Sequence, residues 1–316
     1  MRTTLIGAVC ALALAVTPAV SAVFDPAKAQ DDTPPLPQIA ELAPVPVHPL
    51  AGKIYRVKDD AFVTVRDLLA DLAKARFVLI GETHGRSAHQ DREAFLLAGL
   101  ADQGRYPPVS FEMLTPAKAA VVQTYRVTNP EYAMALGSAL EWDKSNWPSW
   151  SFYAPVFQVA LTAKLPVYGA ELDDSKPKPE GQTPPAEVID SWHQALDVAH
   201  CGLADAARLQ ELTDLQWHRE QAMAKSLLDA DAATGSAGAV LVAGSAHVRK
   251  DRGVSRYLPM AASTSVALIE VGEARDAKSY LPKAIAAGAV FDYIWFTPTT
   301  TIESTCDRLR KKGQLN

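Results

Sequence analysis

Four things are scarce or missing in the sequence, and each shortage excludes something. Cysteine is the first: of three, Cys10 lies in the N-terminal apolar run, so only Cys201 and Cys306 remain and at most one disulfide can form between them. Beyond the N-terminus no apolar run of about 20 residues occurs, so no internal membrane span is expected. Positive charge is not in excess. The net charge of -5 gives no reason to expect a nucleic-acid partner. Two signatures are also absent: no His-Glu-x-x-His zinc helix occurs, and Gly81-Glu82-Thr83-His84-Gly85 lacks the spacing and the lysine of a phosphate-cradling loop.

What is present reads as an exported globular protein. Arg2 is the one charge before an apolar run from Leu5 to Val16, and Val20-Ser21-Ala22 offers small residues at a cleavage position. Residues 1–22 therefore read as a secretory signal, with cleavage after Ala29 as a second reading. An outer-membrane lipoprotein is the lesser alternative, because Cys10 lies too early in the apolar run for a lipid-anchored signal. The expected location is periplasmic or secreted, soluble after cleavage. Residues 23–51 hold Pro34, Pro35, Pro37, Pro44, Pro46 and Pro49, a density that excludes helix and central strand and marks a linker or arm. The folded domain is expected over 52–316, long enough for a large core. In an oxidising compartment Cys201 and Cys306 read as one disulfide, with two buried thiols as the alternative.

Short apolar runs alternate with helical spacing. Strands are expected at 77–81, 109–113, 166–170, 239–244, 264–271 and 291–297, the last near the sheet edge. Helices are expected at 65–72, 87–102 with Ser87 as N-cap, 116–127 capped by Thr115, 131–140, 149–163, 186–199 and 204–230, with a surface loop over 174–185. This order predicts an α/β fold, a mostly parallel sheet flanked by helices on both faces.

In such a sheet ligands bind outside the carboxyl ends of the strands. The first strand runs out at Gly81 into Glu82 and His84; the second carries Glu112; the fourth ends in Gly244-Ser245-Ala246-His247, followed by Arg249. If these strands are neighbours, two Gly-x-x-His turns and a glutamate meet at one end of the sheet. Imidazole and carboxylate together suit a divalent transition metal, with Glu82, His84 and His247 as ligands, or general acid–base work by Glu82, His84, Glu112 and His247. Taken singly, each of these also reads as a hydrogen-bonded structural residue.

Two further features are local. Trp142, Trp147, Trp150, Phe152, Tyr153 and Phe157 crowd one stretch of a chain that is only 8% aromatic, and read either as core packing or as a platform for a large flat apolar ligand. Tyr153 is notable there, since phenolate oxygen is a known haem-iron ligand. Leu212, Gln216, Arg219, Met223 and Leu227 share one helical stripe, in which Gln216 and Arg219 are polar interruptions that need partners such as Glu82 or Glu112.

Several segments together resemble the ChaN family of haem-binding uptake proteins, grouped with the TraB, Tiki and erythromycin-esterase-like proteins. The resemblance is carried by Val78-Leu79-Ile80-Gly81-Glu82-Thr83-His84, Phe111-Glu112-Met113, Trp147-Pro148-Ser149-Trp150-Ser151-Phe152-Tyr153-Ala154-Pro155, Val242-Ala243-Gly244-Ser245-Ala246-His247-Val248-Arg249 and Asp292-Tyr293-Ile294-Trp295-Phe296-Thr297-Pro298. It spans about residues 60–308. It implies an α/β sandwich, haem as cofactor at a surface or dimer interface, and a role in iron acquisition with an envelope transporter as partner. Tyr153, Trp150, Arg249 and Arg219 are the haem-binding candidates. It also implies the Cys201–Cys306 pairing. In the wider superfamily the positions of Glu82, His84, Glu112 and His247 belong to metal-dependent protease and esterase sites, so a hydrolase is the alternative to a binding protein.

Overall fold

The computed structural model describes residues 48–129, 132–172, 179, 181–235, 237–259, 262–285, 288–300 and 305–311. The expected signal segment and the arm as far as residue 47 lie outside the described residues, as does part of the loop expected over 174–185.

In chain order the elements are β1 (Ile54–Arg56), β2 (Ala61–Val63), α1 (Val65–Leu72), β3 (Phe77–Glu82), α2 (Ser87–Asp102), β4 (Val109–Phe111), α3 (Pro116–Thr128), α4 (Ala133–Ala139), α5 (Trp150–Thr162), β5 (Val167–Gly169), α6 (Ala186–Ala199), α7 (Ala206–Ala233), β6 (Ala239–Gly244), β7 (Ser263–Glu270), β8 (Tyr293–Thr297) and α8 (Thr305–Lys311). One eight-stranded sheet runs in the order β2-β1-β8-β7-β3-β6-β4-β5. All pairings from β8 to β5 are parallel, and only β1 joins its neighbours antiparallel. The expected α/β fold with a mostly parallel sheet is therefore the fold observed.

Side chains alternate across the pleat. Val78, Ile80, Val240 and Val242 face one core, filled by Leu96, Leu100 and Phe157 of the layer α1–α5. Phe77, Leu79 and Leu241 face the other, filled by Met223 and Leu227 of α7. Helices thus cover both faces, which is why the central strands are apolar throughout rather than alternating.

Three details differ from the sequence reading. The strands β1 and β2 were not expected. They pair beyond β8 and leave it inside the sheet rather than at its rim. The residue before α2 is Arg86, so Ser87 is the first helical residue instead of the N-cap. Folded structure begins before Gly52, since Leu50 is buried. Cys201, in the turn after α6, is bonded to Cys306 of α8, with Cα atoms 5.5 Å apart.

Candidate functional site

The order β3-β6-β4 makes the three motif-bearing strands neighbours, which is the condition for their C-terminal residues to meet. Two glycines allow the approach. A Cβ on Gly81 would lie 2.3 Å from Val248 Cγ2 and 2.9 Å from Ser245 Cα, so the turn after β6 rests directly on β3. A Cβ on Gly244 would lie 3.1 Å from His84 Nε2, so bare backbone there makes room for the imidazole. The two turns are tied together by Ser245, whose backbone N–H donates to the Glu82 carbonyl at 2.8 Å.

Glu82 ends β3, and its side chain is buried. Oε1 faces His84 Nδ1 at 2.7 Å and accepts from the Tyr153 hydroxyl at 3.3 Å, while Oε2 accepts from Gln90 Nε2. Burial raises the Glu82 pKa despite the imidazole beside it, and the Glu112 charge pushes the same way. His84 lies past the strand end, in the turn. Desolvation opposes its charge, yet Glu82 and Glu112 together raise its pKa. Its side chain is 33% exposed, where Glu82 and Glu112 beside it are buried, and Trp147 packs edge-on against it at 4.9 Å.

Glu112, just past β4, is the hub of the second half. Gly244 N–H donates to its Oε2 at 2.6 Å and Arg219 Nη2 to its Oε1 at 2.8 Å. His247 Nε2 is 3.3 Å from Oε1, and His84 Nε2 is 3.7 Å from Oε2. Burial alone would raise its pKa. The charges of His247, His84 and Arg219 outweigh that and hold the carboxyl well below the usual range. His247 is buried between Glu112 and Glu220, with Nδ1 2.8 Å from Glu220 Oε1. Desolvation works against its charge too, but the two carboxylates push its pKa up to about 10. Arg219 also reaches Glu171 at 3.0 Å, and Gln216 donates to Glu220 at 2.6 Å. The partners sought for the polar interruptions of α7 are therefore Glu112, Glu171 and Glu220.

Glu82, His84, Glu112 and His247 thus converge. Among the described residues no group of three or more His, Cys, Asp or Glu side chains is disposed to hold a metal ion. Imidazoles and carboxylates here point at one another, pairing charge internally instead of facing a common centre.

The four haem candidates are not brought to one surface. Tyr153 is 1% exposed and sits against Glu82, inside the polar cluster. Burial and the Glu82 and Glu93 carboxylates raise its pKa, which keeps the phenol protonated as a donor. Trp150 is buried under α4, donating to the Ala133 carbonyl at 2.9 Å. Arg249 is clamped by Asp251 at 2.7 and 2.9 Å and by the Lys283 carbonyl. Arg219 serves the glutamates.

Sequence reasoning missed Gln90, Glu93 and the role of Glu220. Glu93 is fully buried behind Glu82, and desolvation with the Glu82 charge raises its pKa well above the usual range. His89, on the same turn of α2, is structural: Nδ1 accepts from Thr83 N–H at 2.8 Å and Nε2 meets Thr297 Oγ1 at 2.9 Å, while burial lowers its pKa to about 4. The signal available for Glu220 was its position four residues after Gln216, on the same helical face.

A family model described as haem-binding uptake, Tiki superfamily, ChaN, matches residues 68–179 and 173–258. Among solved structures, ChaN of Campylobacter jejuni with cofacial haem is similar in fold at a TM-score of 0.62 and 21% identity, over 79% of this chain and 98% of that one. The type III effector HopBA1 is similar at 0.45 and 12% identity, over 74% and 92%. An erythromycin esterase mutant, EreC in its open conformation, is similar at 0.40 and 14% identity, over 75% and 80%. No curated protein sequence matches the chain.

Proposed function

We propose, from the premise that the chain belongs to the haem-binding uptake family ChaN of the Tiki superfamily, that it binds haem at the cell envelope and serves haem and iron acquisition. Family membership over residues 68–258 is the observation that carries this reading. The signal-like N-terminus and the Cys201–Cys306 disulfide support an exported, oxidising location, periplasmic or secreted. A homodimer and an envelope transporter are the partners this reading expects.

The donor set fits haem only in part at the residues first singled out, because Tyr153 and Trp150 lie inside the protein. A cavity of about 420 Å³ lies on α3 and α4, of a size in the ~300–1,000 Å³ range of small-molecule sites. Its wall is Ala120, Val121, Thr124, Tyr125, Thr128 and Ala139. The absorption spectrum of protein purified from its own cells tests the reading. A Soret band that copurifies supports it; colourless protein that also takes up no haemin overturns it.

A second reading, a hydrolase acting on an ester or amide, is favoured by one observation. His84 is a half-open imidazole backed by the buried Glu82 carboxylate, the arrangement of a general base with its orienting group. Here Glu112 and His247 would hold charge behind the reacting face. Metal analysis of the purified protein and an ester panel, run with His84→Ala beside the parent, decide it. No bound metal and no turnover sink it.

A further inference from the structure

We propose that the Cys201–Cys306 disulfide is a reducible latch, opened by a protein dithiol, that holds α6 over the buried charges behind His247. The bond joins the turn after α6 to α8, and both cysteines are half-buried, within reach of a thiol at the surface. This site stands apart from the haem reading and does not depend on it. The turn that carries Cys201 is unusual. Cys201 has φ of 63°, in the left-handed region, and Gly202 follows at 69°. Gly202 N–H donates to the Asp197 carbonyl at 2.9 Å, which closes the end of α6. Glycine is the residue that such a helix end favours, because a Cβ is disfavoured there. The turn therefore gives up backbone ease to place a sulfur at this point.

Helix α6 depends on its tethers. Of its 14 residues only Val188 and Trp192 are buried, against eight of 13 in α5. Helices below about 12–15 residues are marginal in water by themselves, so two buried side chains leave α6 weakly anchored. One tether is polar: Arg252 Nη1 donates to the Ser191 carbonyl at 2.5 Å and to the Ser191 hydroxyl at 2.7 Å. The disulfide is the other, beyond the last turn. The underside of the helix is poorly paired. Trp192 Nε1 and His193 Nε2 of α6, and Arg252 Nε against it, are buried with no hydrogen-bond partner in the protein. Such groups regain water when the helix lifts, and this lowers the cost of lifting it.

Arg252 carries the motion inward. Its charge bears on Glu220 of α7, whose Oε1 holds His247 at 2.8 Å and whose Oε2 is buried without a partner. Lifting α6 takes Ser191 away from Arg252, so the state of a surface bond is felt at the strand-end cluster. The bond also has a rim for a partner. Val198 and Leu203, flanking Cys201 in the chain, are 75% and 58% exposed. An apolar rim around a disulfide suits a protein that brings its own dithiol. Exchange then runs in two steps. One thiolate of the partner attacks a sulfur of the pair and expels the other sulfur as thiolate. The partner's second thiolate then displaces the mixed disulfide. The partner leaves with its own disulfide, and Cys201 and Cys306 remain as thiols, having gained two electrons and the two protons that the partner's thiols shed.

The test is hydrogen exchange of the disulfide-bonded protein before and after treatment with dithiothreitol, without denaturant. Amides of residues 186–200 are expected to exchange about tenfold faster after reduction, with β3 and β6 still protected over the same minutes. Cys201→Ser combined with Cys306→Ser should reproduce the reduced pattern. Thioredoxin is the protein-dithiol probe. Val198→Glu and Leu203→Glu, both at exposed positions, are expected to slow its reduction of the bond about tenfold while leaving the dithiothreitol rate unchanged. Exchange of α6 that stays the same on reduction and in the serine pair, or that rises only together with β3 and β6, overturns the latch. A bond that dithiothreitol leaves intact in the folded protein overturns the modification site. Equal thioredoxin rates in the parent and both rim variants overturn the protein partner.

Discussion

Replacing Glu220 by Gln tests the electrostatics of the strand-end cluster with little change of shape. Glu220 is buried, and its Oε1 faces His247 Nδ1 at 2.8 Å. A glutamine there keeps an oxygen acceptor and removes only the charge. Against the desolvation of a buried ring, the Glu220 and Glu112 carboxylates push the His247 pKa up from 6.5 to about 10. Glu112 at 3.3 Å still partners His247 when the Glu220 charge at 2.8 Å is removed, so the expected cost is about 2–3 kcal/mol. That falls at or just under the ~3–5 kcal/mol cost of breaking a buried pair. At ~2–4 °C per kcal/mol for a domain of this size, the variant should melt about 5–10 °C lower near pH 7. The pH dependence has a definite sign. A raised folded-state pKa gives stability that is complete below 6.5 and is lost as pH rises through about 10. The parent should therefore lose stability steadily from about pH 6.5 to about 10, and Glu220→Gln, with a lower folded-state pKa for His247, should show a smaller loss that is complete at a lower pH. On the acid side Glu112, depressed well below the carboxylate range, keeps its contribution until pH falls below its ordinary value. Thermal melts by circular dichroism between pH 5 and 10, with the His247 ring protons followed by NMR, provide the assay. A melting point within ~2 °C of the parent at every pH, with His247 titrating unchanged, would refute the reasoning.

Three further outcomes are expected. Gly81→Ala should destabilise the protein by about 1–3 kcal/mol in urea unfolding, because its methyl would press on Val248 and on the Ser245 backbone. Replacing Cys201 and Cys306 together by Ser opens a loop with a separation of 105 residues and should cost about 2–4 kcal/mol, read from the denaturation midpoint under non-reducing conditions. Trp150→Phe removes the hydrogen bond to the Ala133 carbonyl and should cost about 1 kcal/mol in urea unfolding.

Much of this was legible before the structure. Gly81-Glu82-Thr83-His84 and Gly244-Ser245-Ala246-His247 each close an apolar run, and strand periodicity with the strand-end rule is enough to bring them together. Arg219 announced itself as a charge on the apolar stripe of α7, and its partner Glu112 was among those expected. What stayed hidden has physical reasons. Strands β1 and β2 are three residues each, too short for a periodic signal, and β1 takes its place in the sheet from β8, with Ile54 opposite Trp295 and Arg56 opposite Tyr293. Glu93, Gln90 and Arg92 look like a solvated helical face, but α2 is covered by α5 as well as by the sheet, so polar positions on it are buried. Tyr153 was singled out with the aromatic stretch and not with the strand-end motifs. A helix period carries no information on which strand end its ring will meet, and the ring meets Glu82.

The central claim is that this chain binds haem, and one titration addresses it directly. Haemin added stepwise to the apo-protein at micromolar concentration should give a saturable shift of the Soret band, distinct from that of free haemin in the same buffer. A spectrum that stays that of free haemin throughout would contradict the account.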